Sequence, residues 1–478
     1  MHTQLAVLGG GPGGYAAAFL AADEGLEVTL IESDPRLGGT CLLRGCIPSK
    51  ALLHVARVLK EVDELREGWG IDFTEPRIQI DKVRTRKERV IETLSGGLKQ
   101  LAKRRNVRII HARGVLENSG TLRLEGDDAS IPPEKSLTFD HLILATGSTP
   151  AMPPSFQIGS DRVMDSTGAL ELRDVPAKML VIGGGYIGLE MGTVYASLGA
   201  SVSVVELTDG LLPGADRDLV KPLEKQLRKL FKDQIYLGTR VGSVGERDGL
   251  VEVAFEGPGK FGVEKYDRVL VAVGRRPNSR GIGLEQTSVA VNERGFVVCD
   301  RHQRTADPKI LAIGDVAGEP MLAHKASHEA KVAVESVLGR TSAFDKAAIP
   351  AVVFTDPEIA WAGLMQDQAT REGREIEVAV YPWAASGRAQ AIGRTEGFTK
   401  WIIDPKTNRV LGCGIVGPGA GELIAEAVLA IEMGCEVEDI TESIHPHPTL
   451  SETMMNAGEI YHGSAVEIYK PKRKPAHP

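Results

Sequence analysis

The sequence contains little cysteine and no excess of basic charge. Its 478 residues include five cysteines, an odd and thinly scattered number that does not resemble the paired framework of a small secreted domain. Lys and Arg total 56 against 64 Asp and Glu, which gives a formal net charge of -8. A nucleic-acid groove needs a basic excess, so we expect no nucleic-acid partner. In a reducing compartment, a lasting disulfide is more often catalytic than structural.

The sequence also lacks long hydrophobic runs and a targeting segment. The first apolar strand begins at Leu5, which leaves no room for the charged and hydrophobic regions of a signal peptide. No apolar run approaches the ~20 residues of a membrane-spanning helix. We therefore expect a cytoplasmic protein with no membrane partner. A chain of this length should divide into about three units of typical domain size.

One sequence design occurs twice in the chain. Residues 5–32 and 179–206 both read as an apolar strand, a glycine-rich turn, a helix of small residues, a second apolar strand and a terminal glutamate. The glycines of the GxGxxG pattern and the closing acid are Gly9, Gly11, Gly14 and Glu32 in the first copy and Gly183, Gly185, Gly188 and Glu206 in the second.

This context predicts a dinucleotide-binding fold for each copy. The glycines permit a tight turn and close backbone approach to a pyrophosphate, whose charge lies at a helix N-terminus, while the glutamate accepts a bond from a ribose hydroxyl. Leu207 and Thr208 follow Glu206, with no nearby arginine for a 2'-phosphate, so the second copy should prefer NAD to NADP. Two adjacent copies indicate electron transfer between two bound cofactors, and FAD is expected in the first.

Two of the five cysteines lie close together in GTCLLRGCIPSK, residues 39–50. In a regular helix the Cα atoms of Cys41 and Cys46 would be ~7.5 Å apart, beyond the ~7 Å reach of a disulfide. They can pair only if the turn is distorted, and Gly45 supplies a permissive backbone. A strained bridge over so short a loop is readily reduced, which is typical of a redox-active dithiol. The alternative is a pair of unpaired core cysteines.

A working dithiol needs a base, because thiolate rather than thiol attacks a disulfide. The stretch HPHPTLSE, residues 445–452, places prolines on both sides of His447 and places Glu452 about one turn further on. This carboxylate could bond one ring nitrogen and raise the basicity of the other. Histidines elsewhere, such as His54 and His324, lack such an arrangement. The alternative is that His447 is structural.

Motifs along essentially the whole chain resemble the pyridine nucleotide-disulfide oxidoreductases. They are GGTCLLRGCIPSKALLH, GGGYIGLEMGTVY, VAVGRRPN, AIGDVAGEPMLAHKASHE, YPWAASGRA, IEMGCEVEDI and HPHPTLSE, in the family's order. The CIPSK and HPHPTLSE forms are similar to the lipoamide-oxidising branch. The implied fold class is α/β, with two dinucleotide-binding Rossmann-like domains and an α+β C-terminal dimerisation domain.

The resemblance implies a division of the chain into four domains and a homodimer. The expected FAD domain begins the chain, and the interface domain delivers its histidine to the partner's disulfide, so that each site is shared. The expected boundaries are 1–150 for the first part of the FAD domain, 151–279 for the NAD domain, 280–348 for the central domain that completes the FAD site, 349–470 for the interface domain and 471–478 for a flexible tail.

The resemblance also implies the reaction and its residues. Protein-bound dihydrolipoamide is oxidised to lipoamide and NAD is reduced to NADH, with His447 as the base, Glu452 orienting it, Cys41 receiving the substrate thiolate and Cys46 lying against the flavin. Lys50 pairs with Glu190 beside the flavin, and no metal is implied. The further contacts implied with FAD are Glu32, Lys50, Gly114, Asp315 and Ala323, and those with NAD are Gly183, Gly185, Gly188, Glu206, Val241 and Arg275.

The implied partners carry or bind lipoyl groups. They are the lipoyl domain of an acyltransferase (E2) of a 2-oxo acid dehydrogenase complex or a glycine-cleavage carrier protein, and the E2 subunit-binding domain. The chain departs from the family pattern at Leu43 and Arg44, where an amide and a small apolar residue usually stand. The added cation is expected to attract the thiolate and to shift the potential of the disulfide.

Other functions remain open at this point. A mercuric reductase would carry another cysteine pair near its C-terminus, whereas no cysteine follows Cys435. A glutathione-type reductase would place basic residues after Glu206, and a soluble transhydrogenase would lack the cysteine pair. A mainly structural docking subunit is the alternative from a different class.

Overall fold

The computed structural model describes residues 1–468. The expected flexible tail at 471–478 and the last two residues of the expected interface domain lie outside this range. No helix of the described residues is long and apolar enough to cross a membrane.

The N-terminal part of the chain forms a parallel sheet with an antiparallel extension. This sheet contains β1 (His2–Leu8), β2 (Val28–Glu32), β3 (Arg108–His111), β4 (Arg113–Asn118), β5 (Thr121–Glu125) and β6 (Ser136–Leu144). The next strand, β7 (Ser148–Pro150), lies outside it. The helices of this part of the chain are α1 (Pro12–Asp23), α2 (Gly39–Arg44), α3 (Cys46–Gly68) and α4 (Ile80–Arg104). The strand order is β3-β2-β1-β6-β5-β4.

Strand β1 lies between β2 and β6 and pairs in parallel with both. Its residues Leu5, Ala6 and Val7 are fully buried, because a parallel strand with both faces covered requires a continuous apolar run. The carboxyl ends of these strands meet at one edge of the sheet, which is where ligands of open α/β sheets bind.

The second copy of the glycine-rich design forms its own parallel sheet. The strands of this part of the chain are β8 (Val163–Met164), β9 (Lys178–Ile182), β10 (Ser201–Val205), β11 (Ile235–Tyr236), β12 (Arg240–Arg247), β13 (Leu250–Glu256), β14 (Gly262–Tyr266), β15 (Arg268–Val271) and β16 (Arg275–Pro277). Its helices are α5 (Ser166–Glu171), α6 (Tyr186–Ser197) and α7 (Arg217–Leu230). The parallel order is β11-β10-β9-β15-β8, and β12-β13-β14 form a separate antiparallel sheet. Strands β7 and β16 pair with each other and join the two nucleotide-binding folds.

The segment after the second fold returns to the first sheet. Strand β17 (Ile310–Ala312) pairs in parallel with β6, and helix α8 (Ala323–Val337) packs against α1. Strand β17 is followed by a 3-10 turn, Gly314–Val316, at the ligand-binding edge of the sheet. The return explains how Asp315, distant in sequence from the first glycine loop, reaches the same edge.

The C-terminal part is an antiparallel sheet covered by helices. Its strands are β18 (Ala351–Val353), β19 (Glu358–Gly363), β20 (Glu377–Pro382), β21 (Phe398–Ile403) and β22 (Val410–Gly417), and its helices are α9 (Gln366–Glu372), α10 (Gly387–Ala391), α11 (Ala420–Met433), α12 (Val437–Thr441) and α13 (Glu452–His462). The order is β18-β19-β22-β21-β20. Trp383 and Trp401 are fully buried in its core. The predicted fold class is confirmed.

A buried ion pair connects the C-terminal sheet to the second nucleotide fold. Lys400 on β21 and Asp216, the residue before α7, are 0% and 1% exposed, and Lys400 Nζ lies 2.7 Å from Asp216 Oδ2. Asp216 also accepts bonds from the backbone amides of Gln366 and Asp367 at 2.9 Å each. The carboxylate is therefore satisfied on both oxygens, as a buried charge must be.

Candidate active site

The two early cysteines stand on either side of a break between two helices. Helix α2 ends at Arg44, α3 begins at Cys46, and Gly45 between them has φ -146° and ψ -116°. A Cβ on Gly45 would lie 2.8 Å from the Thr40 carbonyl oxygen and 3.3 Å from the Cys41 Cα. The distortion predicted between the cysteines is present, and only glycine allows the two helix ends to approach this closely.

This approach makes the two thiols hydrogen-bond neighbours. Both are free thiols in the structure. The hydrogen bond from Cys41 lowers the pKa of the Cys46 thiol and outweighs burial, with a further lowering by the Lys50 ammonium. The same hydrogen bond and burial raise the pKa of Cys41. The pair therefore favours a thiolate on Cys46 and a protonated Cys41.

Lys50, one turn after Cys46 on α3, lies beside Glu190 of α6. Lys50 Nζ is 2.8 Å from Glu190 Oε2 and 3.1 Å from Glu190 Oε1. The carboxylate is only 4% exposed, whereas the lysine side chain is 30% exposed. A buried carboxylate requires such a partner. The two helices thereby join the cysteine segment of the first fold to the glycine-loop helix of the second.

One large cavity of about 1360 Å³ receives most of the predicted residues. Both cysteines open into it. The other predicted residues that line it are Gly9, Gly11, Glu32, Lys50, Gly114, Glu190, Arg275, Asp315 and Ala323. They come from both nucleotide-binding folds and from the β17–α8 segment, so the cavity lies where the three parts meet.

The first glycine loop fits an anionic dinucleotide. Gly9 has φ +110°, and a Cβ on Gly14 would lie 1.7 Å from the Gly9 carbonyl oxygen, so glycine is required at both positions. Helix α1 begins after Gly11, and no side chain of the described residues caps it. Its free amide groups can therefore meet a phosphate. Glu32 Oε2 accepts a bond from the Gly10 amide at 2.6 Å and thereby stabilises the loop.

The second glycine loop repeats this geometry. Gly183 has φ +111°, and a Cβ on Gly188 would lie 2.2 Å from its carbonyl oxygen. Glu206 Oε2 accepts from the Gly184 amide at 2.7 Å. Helix α6 begins after Gly185, again with no side-chain cap among the described residues. The physical requirements of a second dinucleotide site are met.

The surroundings of Glu206 bear on the choice between NAD and NADP. Sequence reasoning expected no arginine nearby, but the structure brings Arg217 to the loop that follows Glu206. The Arg217 guanidinium donates to the carbonyl oxygens of Leu211 at 2.7 Å and of Leu212 at 2.6 Å. Its Nε and Nη2 also donate to the carbonyl oxygen of Ala215 at 3.1 Å and 2.6 Å. The guanidinium is thus engaged by backbone carbonyls, so the expected preference for NAD over NADP still stands. Val241 lies in β12 with its side chain buried in the core of the second fold, away from the lining of the main cavity.

Two residues that sequence reasoning missed lie between the nucleotide folds. Ser148 donates to Asp315 Oδ2 at 2.5 Å, and Arg275 Nε donates to Ser148 Oγ at 2.7 Å. Tyr186, the first residue of α6, also lines the cavity, and burial raises its pKa to about 12. A serine at a strand end and a tyrosine after a glycine carry no distinctive sequence signal.

The predicted base is oriented as expected but does not line the cavity into which the cysteines open. His447 Nδ1 is 2.8 Å from Glu452 Oε1, and Glu452 Oε2 accepts from the Thr449 amide at 2.7 Å. The His447 side chain is 77% exposed. Within the described residues, no hydrogen bond or ion pair links it to either cysteine. The histidine is thus presented at the surface of the C-terminal part.

Arg44 has a different partner from the one expected. Its guanidinium forms an ion pair with Asp34 rather than with a thiolate. Asp34 also lines the main cavity, so a carboxylate balances the added cation beside the cysteine segment. The expected shift in potential stays a prediction.

The fold and this site define a flavin- and nicotinamide-dependent disulfide oxidoreductase. Residues 3–330 match the family model described as pyridine nucleotide-disulphide oxidoreductase, and residues 349–458 match the dimerisation domain of the same family. The chain belongs to the pyridine nucleotide-disulphide oxidoreductases. FAD and NAD are its cofactors, and the two glycine loops fit them. The dimerisation domain supports a homodimer.

Curated relatives extend over nearly the whole chain. The dihydrolipoyl dehydrogenase of Vibrio cholerae is 47% identical over 475 residues, covering 99% of this chain and 98% of the relative. That of Geobacillus stearothermophilus is 41% identical over 468 residues and covers 98% of each chain. Among solved structures, LpdA of Mycobacterium tuberculosis has a TM-score of 0.86 at 27% identity and covers 96% of this chain and 99% of its own.

Proposed function

We propose that this chain is an NAD-dependent dihydrolipoyl dehydrogenase that oxidises protein-bound dihydrolipoamide to lipoamide. The observation that carries the proposal is the Cys41–Cys46 thiol pair, which opens into the cavity shared by both nucleotide-binding folds. A dithiol at this place links a sulfur substrate to two-electron cofactors. The full-length similarity to curated dihydrolipoyl dehydrogenases gives the substrate class.

The reaction begins with removal of a proton from a substrate thiol by His447 of the partner subunit. Because Glu452 accepts a bond at Nδ1, the other ring nitrogen keeps a free lone pair for this proton. The substrate thiolate attacks Cys41 Sγ of the oxidised pair. The cysteine S–S bond breaks, a mixed disulfide forms on Cys41, and Cys46 leaves as a thiolate.

The second substrate thiol completes the exchange. After the imidazolium has released the first proton to solvent, the imidazole takes the proton of the second thiol. The resulting thiolate attacks the substrate sulfur of the mixed disulfide, closes the lipoamide ring and releases Cys41, which takes its proton from the imidazolium. One proton ends on Cys41 and the other is released to solvent, while two electrons pass to the cysteine pair. When bound, FAD supplies two-electron transfer from the cysteines to NAD, which yields NADH and restores the disulfide.

The Lys50 ammonium lowers the pKa of the Cys46 thiol, so the leaving group is stabilised as a thiolate. Cys41 stays protonated after release, so the two sulfurs hold distinct roles. The charge arrangement therefore supports the proposed direction of attack.

The proposed enzyme is a homodimer with two shared sites. We place the FAD domain at 1–150, the NAD domain at 151–279, the central domain at 280–348 and the interface domain from 349. The lipoyl substrate is carried by an acyltransferase (E2) or by a glycine-cleavage carrier protein in the cytoplasm. Co-purification from the native host, with identification of the lipoylated protein and of any E2 subunit-binding domain, tests the partner assignment.

The function is tested by substituting one sulfur of the pair. Cys46→Ser should abolish NAD reduction by dihydrolipoamide while FAD remains bound, because the nucleotide-binding loops are untouched. Cys435→Ser, which changes a cysteine of the C-terminal part outside the cavity lining, is the matched control and should keep activity. Turnover by Cys46→Ser, or no oxidation of dihydrolipoamide by the wild-type holoenzyme, would overturn the proposal.

Sharing of the site between subunits is tested by hybrid dimers. Cys46→Ser homodimers should be inactive and His447→Gln homodimers should be slowed ~10²-fold or more. A hybrid contains one site with both residues intact if His447 comes from the partner. Mixed unfolding and refolding, or co-expression, should restore activity on the order of half that of the wild type per hybrid dimer. Hybrids as inactive as the parents would place both residues in one chain.

A further inference from the structure

One residue of the C-terminal part contacts both members of the Lys50–Glu190 pair. The backbone amide of Phe354 donates to Glu190 Oε1 at 3.0 Å. The Lys50 ammonium lies 4.5 Å from the centre of the Phe354 ring. Phe354 stands in the connection between β18 and β19 and is partly buried. A pair formed between the two nucleotide folds is thus held by the third part of the molecule.

We propose that Phe354 is a positioning residue that holds the Lys50 ammonium between its ring and Glu190, so that the C-terminal domain sets the charge next to the reactive cysteine pair. This inference deepens the proposed function and rests on it. Phe354 acts through Lys50 and Glu190 rather than on substrate.

The backbone amide and the ring of Phe354 contact different members of the Lys50–Glu190 pair. The Phe354 amide orients the Glu190 carboxylate, and both oxygens of that carboxylate accept from Lys50 Nζ. The ring attracts the cation through its negative face. Lysine has a flexible four-carbon stem and three rotatable donors, so Glu190 alone leaves its position poorly defined. The ring removes that freedom.

The segment that carries Phe354 is itself anchored on the same helix. Lys60 on α3 lies 2.5 Å from Asp356 Oδ2, and Arg394 pairs with the other oxygen of that carboxylate. Burial alone would raise the pKa of Asp356, but Arg394 and Lys60 outweigh it and lower the pKa. Asp356 is therefore a charged anchor. Helix α3 also begins with Cys46 and carries Lys50. The Lys60–Asp356 contact therefore fixes the position of the segment that carries Phe354 relative to Lys50.

The test compares four variants of the FAD-loaded enzyme. Phe354→Leu and Phe354→Met both remove the ring and leave an apolar side chain, branched in one and unbranched and flexible in the other. Phe354→Tyr keeps the ring. The matched control is Phe19→Leu, which removes a ring on α1 that lies 5.3 Å from the Arg105 guanidinium carbon in the first nucleotide fold. Every variant keeps the backbone amide at position 354, so only the ring contact differs.

The readout is the pH dependence of Cys46 alkylation by iodoacetamide after reduction with dithiothreitol, with the modified site identified by mass spectrometry. Loss of the ring contact should raise the apparent pKa of Cys46 by about half a unit or more and lower the alkylation rate at pH 6 about twofold. Phe354→Tyr and Phe19→Leu should match the wild type.

Two results would overturn the inference. One is a wild-type profile for both Phe354→Leu and Phe354→Met, which would leave Phe354 as packing alone. The other is an equal shift of the Cys46 pKa in Phe19→Leu, which would mean that losing any aromatic ring from the protein changes the pKa. The readout uses neither dihydrolipoamide nor NAD. An enzyme that fails to oxidise dihydrolipoamide but shows the ring-dependent shift would therefore contradict the proposed function and leave the positioning role standing.

Discussion

Lys50 Nζ lies 2.8 Å from Glu190 Oε2, although the two residues are separated by 140 positions in the chain. The pair joins the helix that begins at Cys46 to the helix that follows the second glycine loop. The pKa of the Cys46 thiol is lowered by Lys50 and raised by Glu190, after the larger influences of Cys41 and burial. The ion pair therefore provides two opposing charges that adjust one thiolate.

The first prediction separates these two charges. Lys50→Met should raise the pKa of Cys46, and Glu190→Gln should lower it, because each removes one opposing influence. A raised pKa shifts the alkylation profile of the reduced enzyme to higher pH and slows alkylation at neutral pH. A lowered pKa does the reverse. Shifts of the Cys46 pKa in the same direction in both variants would contradict the opposing roles of Lys50 and Glu190. The control is Lys406→Met, which changes an exposed lysine of the C-terminal part.

The second prediction concerns the break between the cysteine helices. Gly45→Ala should destabilise the protein by about 1–3 kcal/mol, because its Cβ would overlap the backbone at Thr40. It should also slow formation of the disulfide, since the helix ends must separate. Denaturant unfolding and thiol titration measure the two effects. Gly96→Ala on α4, where a Cβ meets nothing within 4 Å, should be neutral or stabilising.

The third prediction concerns the base. His447→Gln should slow oxidation of dihydrolipoamide by ~10²-fold or more if the imidazole supplies general-base catalysis. Flavin reduction by NADH should be retained, because His447 contacts neither glycine loop. Stopped-flow measurement of both half-reactions separates these outcomes. His462→Gln, at the end of α13, serves as the control, and an unchanged first half-reaction in His447→Gln would remove the assigned role.

The fourth prediction concerns the buried ion pair between the second fold and the C-terminal sheet. Lys400→Met should lower the free energy of unfolding by ~3–5 kcal/mol, because it leaves the buried Asp216 carboxylate without its cation. The double variant Lys400→Met with Asp216→Asn should recover part of the loss. Denaturant unfolding of the FAD-loaded protein measures both. A double variant no better than the single one would show that charge burial is not the cause.

The fifth prediction concerns Arg44. Its partner Asp34 stands beside the same cavity, so Arg44→Val leaves an unbalanced carboxylate near the thiols and should make the disulfide easier to retain in the oxidised form. Asp34→Asn should act in the opposite direction. Redox titration against glutathione compares the two, and a wild-type potential in Arg44→Val would remove the effect of this cation.

The local parts of the site could be predicted from the sequence. Both glycine loops were predicted because a tight turn and close backbone approach require glycine at fixed spacing, and Gly9 and Gly183 adopt nearly the same φ. The dithiol was predicted because a bridge between Cys41 and Cys46 needs a distorted turn, and a strained bridge over so short a loop is readily reduced. The predictions of fold class, FAD and NAD are confirmed, whereas the individual roles of the site residues stay predictions.

Long-range contacts could not be predicted in the same way. Ser148 and Phe354 belong to no motif, and their contacts with Arg275 and Glu190 form only when separate parts of the chain pack together. The partner of Arg44 was missed because a loop brings Asp34 beside it. Nothing in residue spacing reports which charged groups a fold will place side by side.

The sequence by itself determined the chemistry: two sulfurs at a helix break, two glycine loops, and a histidine followed by its carboxylate. Each of these depends on backbone conformation over a few residues, which local residue types control. Only the tertiary structure decided where those groups meet and which charges adjust them. The contact of Lys50 with Glu190 was implied by the family resemblance, but residue spacing does not show it, because it depends on packing between helices far apart in the chain. The same packing decides the contacts of Phe354 and Arg44, which no local pattern indicates.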